Sequence, residues 1–173
     1  MRHLTGATRT AFLLFFASHI PITLLVDGQA FLPHSIYPQA VLDVRQWYAS
    51  TFKDALMAEP FEPWFKSFVA CEIVLQLPFF VYAVRALLNP PTTAKGKGLF
   101  RTLSLIYGSH TATTLIPILI ATLADETTTA REKAALFGFY LPYLIFPVWL
   151  VAIAVVSEDV FGGSRGCKEG KKK

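Results

Sequence analysis

Four side chains able to move protons or bind cations stand in stretches otherwise built from apolar residues: His19, Asp27, Glu72 and His110. His19 and Thr23 precede Asp27 by eight and four residues, a spacing that stacks all three on one face of a helix. Gln76 lies one helical turn beyond Glu72. Tyr107, His110, Thr111 and Thr114 form a third polar stripe, and Tyr140 and Tyr143 a fourth. A carboxylate in an apolar helix is costly and generally faces a bundle interior or a cavity rather than lipid. Asp27 and Glu72, sharing one proton, would carry a single negative charge, a counter-ion for an amine or a polarised hydroxyl in an apolar pocket. The plainer alternatives are a Glu72 carboxyl that only packs helices by hydrogen bonding, an Asp27 at a helix end, and tyrosines that anchor an interface. Spacing alone does not choose between them. No set of metal-ligand spacings accompanies the histidines, so no metal is expected. Phosphate-cradling glycine loops and nucleophile elbows are also missing from the sequence. The chemistry therefore favours a flat lipophile over a nucleotide or sugar, with no cofactor and no catalytic residue assigned.

Such residues need elements to position them, and the composition says which. Hydrophobic residues make up 53% of the 173, charged residues 16%, and the mean hydropathy is +0.45. The apolar residues fall in four long blocks, Thr10–Asp27, Trp64–Leu88, Leu99–Ala124 and Ala134–Ser157. Each is about 18 to 26 residues, long enough for a helix to cross about 30 Å of hydrocarbon. Lipid admits only helices or closed barrels, and these blocks are too long for barrel strands. The expected fold is all-α: a polytopic four-helix bundle over residues 10–157, with a short N-terminus (1–9) and a basic tail (158–173). Pro21, Pro78, Pro117, Pro142 and Pro147 put at least one proline in every span. Each removes a backbone bond and kinks its helix, which suits a bundle that encloses a cavity.

Orientation follows from the basic residues. Eleven fall on the side of the termini and of the loop between the second and third spans, five on the other. The excess places both termini in the cytosol. Charge confined to ends and loops also argues against nucleic acid as a partner. The Lys171-Lys172-Lys173 ending is close to a dilysine retrieval signal for the endoplasmic reticulum, although Gly170 stands where that signal wants lysine. Cys71, in a span, and Cys167, in the tail, are read as free thiols. The segment from Gly28 to Pro63 carries Phe31, Tyr37, Trp47, Tyr48, Phe52 and Phe61. It reads as an aromatic-rich lumenal cap with short helices rather than a free linker.

These strings together resemble one family. They are Ser18-His19-Ile20-Pro21-Ile22-Thr23 with Asp27, Trp47-Tyr48-Ala49 with Phe52-Lys53-Asp54, and Trp64-Phe65-Lys66-Ser67-Phe68. To them add Cys71-Glu72 with Gln76-Leu77-Pro78-Phe79-Phe80, His110-Thr111 with Thr113-Thr114-Leu115-Ile116-Pro117-Ile118, and Pro142-Tyr143 with Pro147. Spread over residues 8 to 157, they are similar to the sigma-2 receptor (transmembrane protein 97) family of EXPERA-domain proteins. The resemblance implies a homodimeric endoplasmic reticulum membrane protein whose pocket opens toward the bilayer and takes sterols and cationic amphiphilic molecules. It implies that Asp27 contacts the amine, supported by Asp54 and Glu72. Gln76, Thr114, Tyr140 and Tyr143 would line the pocket, with His19, Trp47 and Tyr48. Relatives include a sterol Δ8–Δ7 isomerase, and others are linked to cholesterol trafficking or to efficient delivery of mitochondrial precursors. The tail and the loop between the second and third spans depart from the vertebrate form. A lipophile-binding role in sterol homeostasis or trafficking is the leading expectation; an isomerase or a mitochondrial-targeting factor is the alternative.

Overall fold

The computed structural model describes residues 3–162. The chain forms α1 (Gly6–Leu25), α2 (Gln39–Phe52), α3 (Pro63–Cys71), α4 (Leu77–Leu88), α5 (Ala94–Ala124) and α6 (Ala130–Val156). No strand occurs among the described residues. Four segments are long and apolar enough to cross a membrane: 6–30, 63–88, 94–124 and 130–156. Their outer surfaces carry Leu14, Ile106, Ile120 and Val155, each about three-fifths exposed, where hydrocarbon would lie. The lysine tail and its signal-like ending lie outside the described residues.

Three spans begin at least four residues earlier than the hydropathy suggests, at Gly6, Ala94 and Ala130. Thr93 accepts a hydrogen bond from the Gly96 N–H at the start of α5. Thr129 and Glu132 form a reciprocal capping box at the start of α6. Polar first turns such as these are helical by capping, which a hydropathy window does not register. The second span is not one α-helix: between α3 and α4, Glu72–Gln76 forms a π turn closed by the Leu77 N–H on the Glu72 carbonyl. Pro78 follows immediately and has no N–H to continue the narrower pitch.

The bundle has two unequal halves. At the end holding both termini, the core is solid and aromatic, built on Phe12, Phe16, Phe80, Phe100 and Leu150, all 0% exposed. Phe15 stacks on Phe146 at 4.4 Å and Phe79 on Tyr107 at 4.6 Å. Close approach of α5 to α6 depends on Gly108, where a Cβ would meet Val151 and the Pro147 carbonyl at 2.5 and 2.8 Å. Leu4 donates its N–H to the Val160 carbonyl at 2.6 Å, so the two ends of the described residues meet. At the opposite end, Leu56 and Met57 of the segment 28–62 pack with Phe65, Val69, Leu115 and Ile118 in a second cluster.

That segment is an ordered cap. Its centre is Arg45, 6% exposed, whose guanidinium donates to Gln29 Oε1 and the Met57 carbonyl, each at 2.8 Å, and to Glu59 at 2.5 Å. Its carbon also lies 5.0 Å over the Phe61 ring. Gln29 in turn donates to the Leu25 and Val41 carbonyls, tying the cap to the end of α1. Basic side chains likewise close other helix ends: Arg9 donates to the Leu87 and Leu88 carbonyls, Arg101 to Ala154 and Lys133 to Leu123.

Candidate functional site

The cavity lies between the aromatic half and the cap, with a volume of about 310 Å³. Its apolar walls come from Ile22, Val26, Met57, Phe65, Leu115 and Ile118 among others. Polar groups converge on it from every span, and the helices explain how. On α1, His19 and Thr23 are one turn apart and both are buried. Thr23 donates its hydroxyl to Glu72 Oε1 at 2.5 Å, and His19 Nε2 lies 3.3 Å from the same oxygen. The His19 ring is held between Phe80 and Tyr143, each at a centroid distance of 4.5 Å. Asp27 is the first residue of a 3-10 turn just past the end of α1. Among the described residues its carboxylate accepts no hydrogen bond, and it faces the cavity. One ligand atom each from His19, Asp27 and Glu72 fall within 4.8 Å of one another.

The π turn decides where Glu72 and Gln76 point. Its wider pitch keeps both on the cavity wall and leaves Val74 and Leu75 exposed on the outer face. Gln76 accepts the Thr111 hydroxyl at 3.0 Å and approaches His110 Nδ1 at 3.4 Å. His110 thus supports Gln76 from behind, while Thr111 and Thr114 reach the cavity.

Under the cap, Asp54 is 2% exposed. Lys53 takes the left-handed conformation (φ 57°) that ends α2 and turns the chain so that Asp54 points inward. Asp54 Oδ1 accepts the Leu56 N–H at 3.1 Å. Its Oδ2 accepts the phenols of Tyr48 at 3.1 Å and Tyr140 at 2.6 Å. This carboxylate therefore joins the cap to α6 and holds two phenols against the cavity. Burial, and next the Asp54 carboxylate beside it, push the Tyr48 phenol above its ordinary value. The Tyr37 phenol is raised by burial, with Asp27 adding to the shift. It sits close to Gly28, where a Cβ would meet its oxygen at 2.7 Å.

Of the ten residues singled out from the sequence, His19, Asp27, Tyr48, Glu72, Gln76, Thr114, Tyr140 and Tyr143 line the cavity, and Asp54 lies just behind two of them. Trp47 does not join them: it is 60% exposed and packs edge-on against Phe52. Adjacent helical residues point about 100° apart, so the turn of α2 that presents Tyr48 to the cavity turns Trp47 outward. Thr111 and Phe139 line the wall without having been singled out as site residues. Arg45, on α2, is buried without any local sign of it in the sequence, since a single arginine is ordinarily exposed. Chemically the site offers two carboxylates and an imidazole at one wall and phenols at another, in apolar surroundings. It can hold a cation or orient a hydroxyl.

Comparison with known proteins adds an independent line. Residues 40–153 match the family model EXPERA (EXPanded EBP superfamily). Sigma intracellular receptor 2 of Xenopus tropicalis is 45% identical over 154 residues, 84% of this chain and 86% of that protein. Its Homo sapiens counterpart is 44% identical over 150 residues, 80% of this chain and 81% of that protein. Efficient mitochondria targeting-associated protein 19 of Saccharomyces cerevisiae is 30% identical over 153 residues, 80% of this chain and 92% of that protein.

Proposed function

The chain belongs to the EXPERA family, and on that premise we propose that it is a membrane receptor for sterols and cationic amphiphilic lipophiles. The observation that carries this reading is the 310 Å³ cavity with Asp27 and Glu72 on one wall of an otherwise largely apolar lining. Cavities of this size and character suit small lipophilic ligands. Glu72 has Thr23 and His19 on one oxygen, whereas Asp27 keeps its acceptor capacity for a guest. An ammonium beside Asp27 would replace its lost water with a charge-assisted hydrogen bond. A hydroxyl guest would be oriented by the same acids or by Tyr140 and Tyr143. The ligand's flat apolar body would lie against Phe65, Val69, Leu115 and Ile118. In this reading the protein is a homodimer of the endoplasmic reticulum membrane with both termini cytosolic, acting in sterol homeostasis or trafficking.

The test is binding of a labelled cationic amphiphile to the purified protein in lipid nanodiscs. Asp27→Asn should weaken binding by about 2–5 kcal/mol, more than tenfold, as expected when one partner of a buried charge pair is removed. An unchanged dissociation constant in a folded variant would sink the assignment.

A sterol isomerase remains as a second reading because His19 Nε2 and Glu72 Oε1 are 3.3 Å apart at the cavity wall. Such a pair could supply an acid and a base to a ring double bond. Conversion of a Δ8-sterol to its Δ7 isomer by purified protein would establish that reading over simple binding. The yeast relative's name motivates a third, a factor aiding mitochondrial targeting. Rescue of precursor import in a deletion strain by the Asp27→Asn protein would favour it, because the cavity charge would then be dispensable.

A further inference from the structure

We propose that α2, the helix of the cap, lies in the bilayer surface beside α6 with Ala40, Val44 and Trp47 against lipid. Around its axis, at about 100° per residue, the helix divides into three stripes. Arg45 and Ala49 turn inward and are buried, with Tyr48 and Phe52 beside them facing α6. Ala40, Val44 and Trp47 recur at i, i+4 and i+7, so they share one side. All three are exposed, Val44 by 54% and Trp47 by 60%. Gln39, Asp43, Gln46 and Ser50 form a parallel exposed stripe, along which Gln39 donates to Asp43 at 2.8 Å. The outer surface of α2 is thus split into an apolar edge and a polar edge. That division suits a helix lying along the boundary between lipid and water, where tryptophan is also favoured.

The neighbouring helix says what covers the apolar edge. Trp47 packs edge-on against Phe52 at 6.0 Å, and Phe52 against Phe139 of α6 at 4.7 Å. Phe139 belongs to a row, Ala135, Phe139, Pro142, Ile145 and Val148, that runs exposed along α6 at helical spacing. The apolar edge of α2 therefore continues the surface that this span presents to hydrocarbon. Depth agrees with continuity. The charged first turn of α6, Arg131 to Lys133, marks the water boundary. Phe139 stands six residues further on, about 9 Å along the axis at 1.5 Å per residue. The headgroup layer is only about 5–8 Å thick on each side, so α2 meets α6 at the depth of lipid. A second copy of the chain fits the stripe poorly. Stable interfaces bury about 1,200 Å² or more, far beyond three side chains bordered by amides and a carboxylate.

The experiment uses the full chain in phosphatidylcholine bicelles, with Cys71→Ser and Cys167→Ser as background. One cysteine is then added at a time, by Asp43→Cys, Val44→Cys, Gln46→Cys or Trp47→Cys, and treated with a charged, water-soluble maleimide. Positions 43 and 46 should label at least tenfold faster than 44 and 47. Trp47 itself is read in a chain carrying Trp64→Phe and Trp149→Phe, so the result does not hang on the cysteine variants folding. Brominated phosphatidylcholine should quench its emission, and aqueous acrylamide should not. Equal labelling at all four positions, or a Trp47 quenched by acrylamide and untouched by brominated lipid, would overturn the proposal. Protection of positions 44 and 47 that disappears when protein is diluted at fixed lipid would place a second copy on the stripe and overturn it as well.

Discussion

Asp54 shows how much one side chain can organise when its partners are exact in direction. Three donors, the Leu56 N–H and the phenols of Tyr48 and Tyr140, satisfy a carboxylate that is 2% exposed. Tyr48 carries a consequence that can be measured. Burial and the neighbouring Asp54 raise its phenol above the ordinary value of 10. A group whose folded value is raised stabilises the fold fully below its unfolded value and loses that contribution as pH rises through the folded one. The cap should therefore hold its stability up to about pH 10 and weaken progressively above it. Thermal unfolding of the wild type and of Tyr48→Phe across alkaline pH checks this: the variant should show a shallower decline, and parallel curves would argue against it. Tyr48 was legible in the sequence through resemblance, as was Asp54. Arg45 was not, because burial of a lone arginine is decided by residues twelve to sixteen positions away.

The decisive element is the second span. A regular α-helix from Pro63 to Leu88 would carry Glu72 and Gln76 in a different register relative to Phe79 and Phe80, which anchor α4 in the aromatic core. The π turn contributes one extra residue to the pitch and Pro78 prevents its repair. Pro78→Ala supplies the missing N–H, so the five residues of the turn, none of them removed, should relax to α pitch. Glu72 would then turn by about 100° relative to α4. Binding of a cationic amphiphile should fall more than tenfold while circular dichroism still reports a helical protein. Retained binding would mean that the turn does not position Glu72. Proline in the span was visible from the sequence and a kink was expected, but a hydropathy pattern does not distinguish a bend from a change of pitch.

As a whole, the molecule divides into a solid aromatic half and a hollow half under a cap. Van der Waals packing of phenylalanines closes the end with the termini. The other end is closed by a covering segment that hangs on polar contacts through Arg45, Gln29, Glu59 and Asp54. Arg45→Ala would strand Gln29 and the Met57 carbonyl and should cost about 3 kcal/mol, the low end for a broken buried pair because Glu59 is half exposed. Thermal unfolding in micelles measures the loss. Proteolysis should show cuts appearing first within the cap, and an unchanged pattern would indicate that Arg45 does not hold it.

Hydropathy is a local property, so the sequence by itself determined that there are four apolar spans, roughly where they run, and which polar residues interrupt them. Helical periodicity also placed His19 and Thr23 on one face of α1, whereas Asp27, expected on the same helical face, lies on a 3-10 turn beyond the helix end. The meeting of these faces was decided only by the tertiary structure. Glu72 touches Thr23 from 49 residues away, and Tyr140 reaches Asp54 across 86. Those contacts depend on kinks, a π turn and a left-handed residue at Lys53, whose geometric effects add up along the chain. The carboxylates were legible as anomalies in apolar helices; their gathering with His19 around one cavity followed from packing, because distance in a fold is not written in spacing along it.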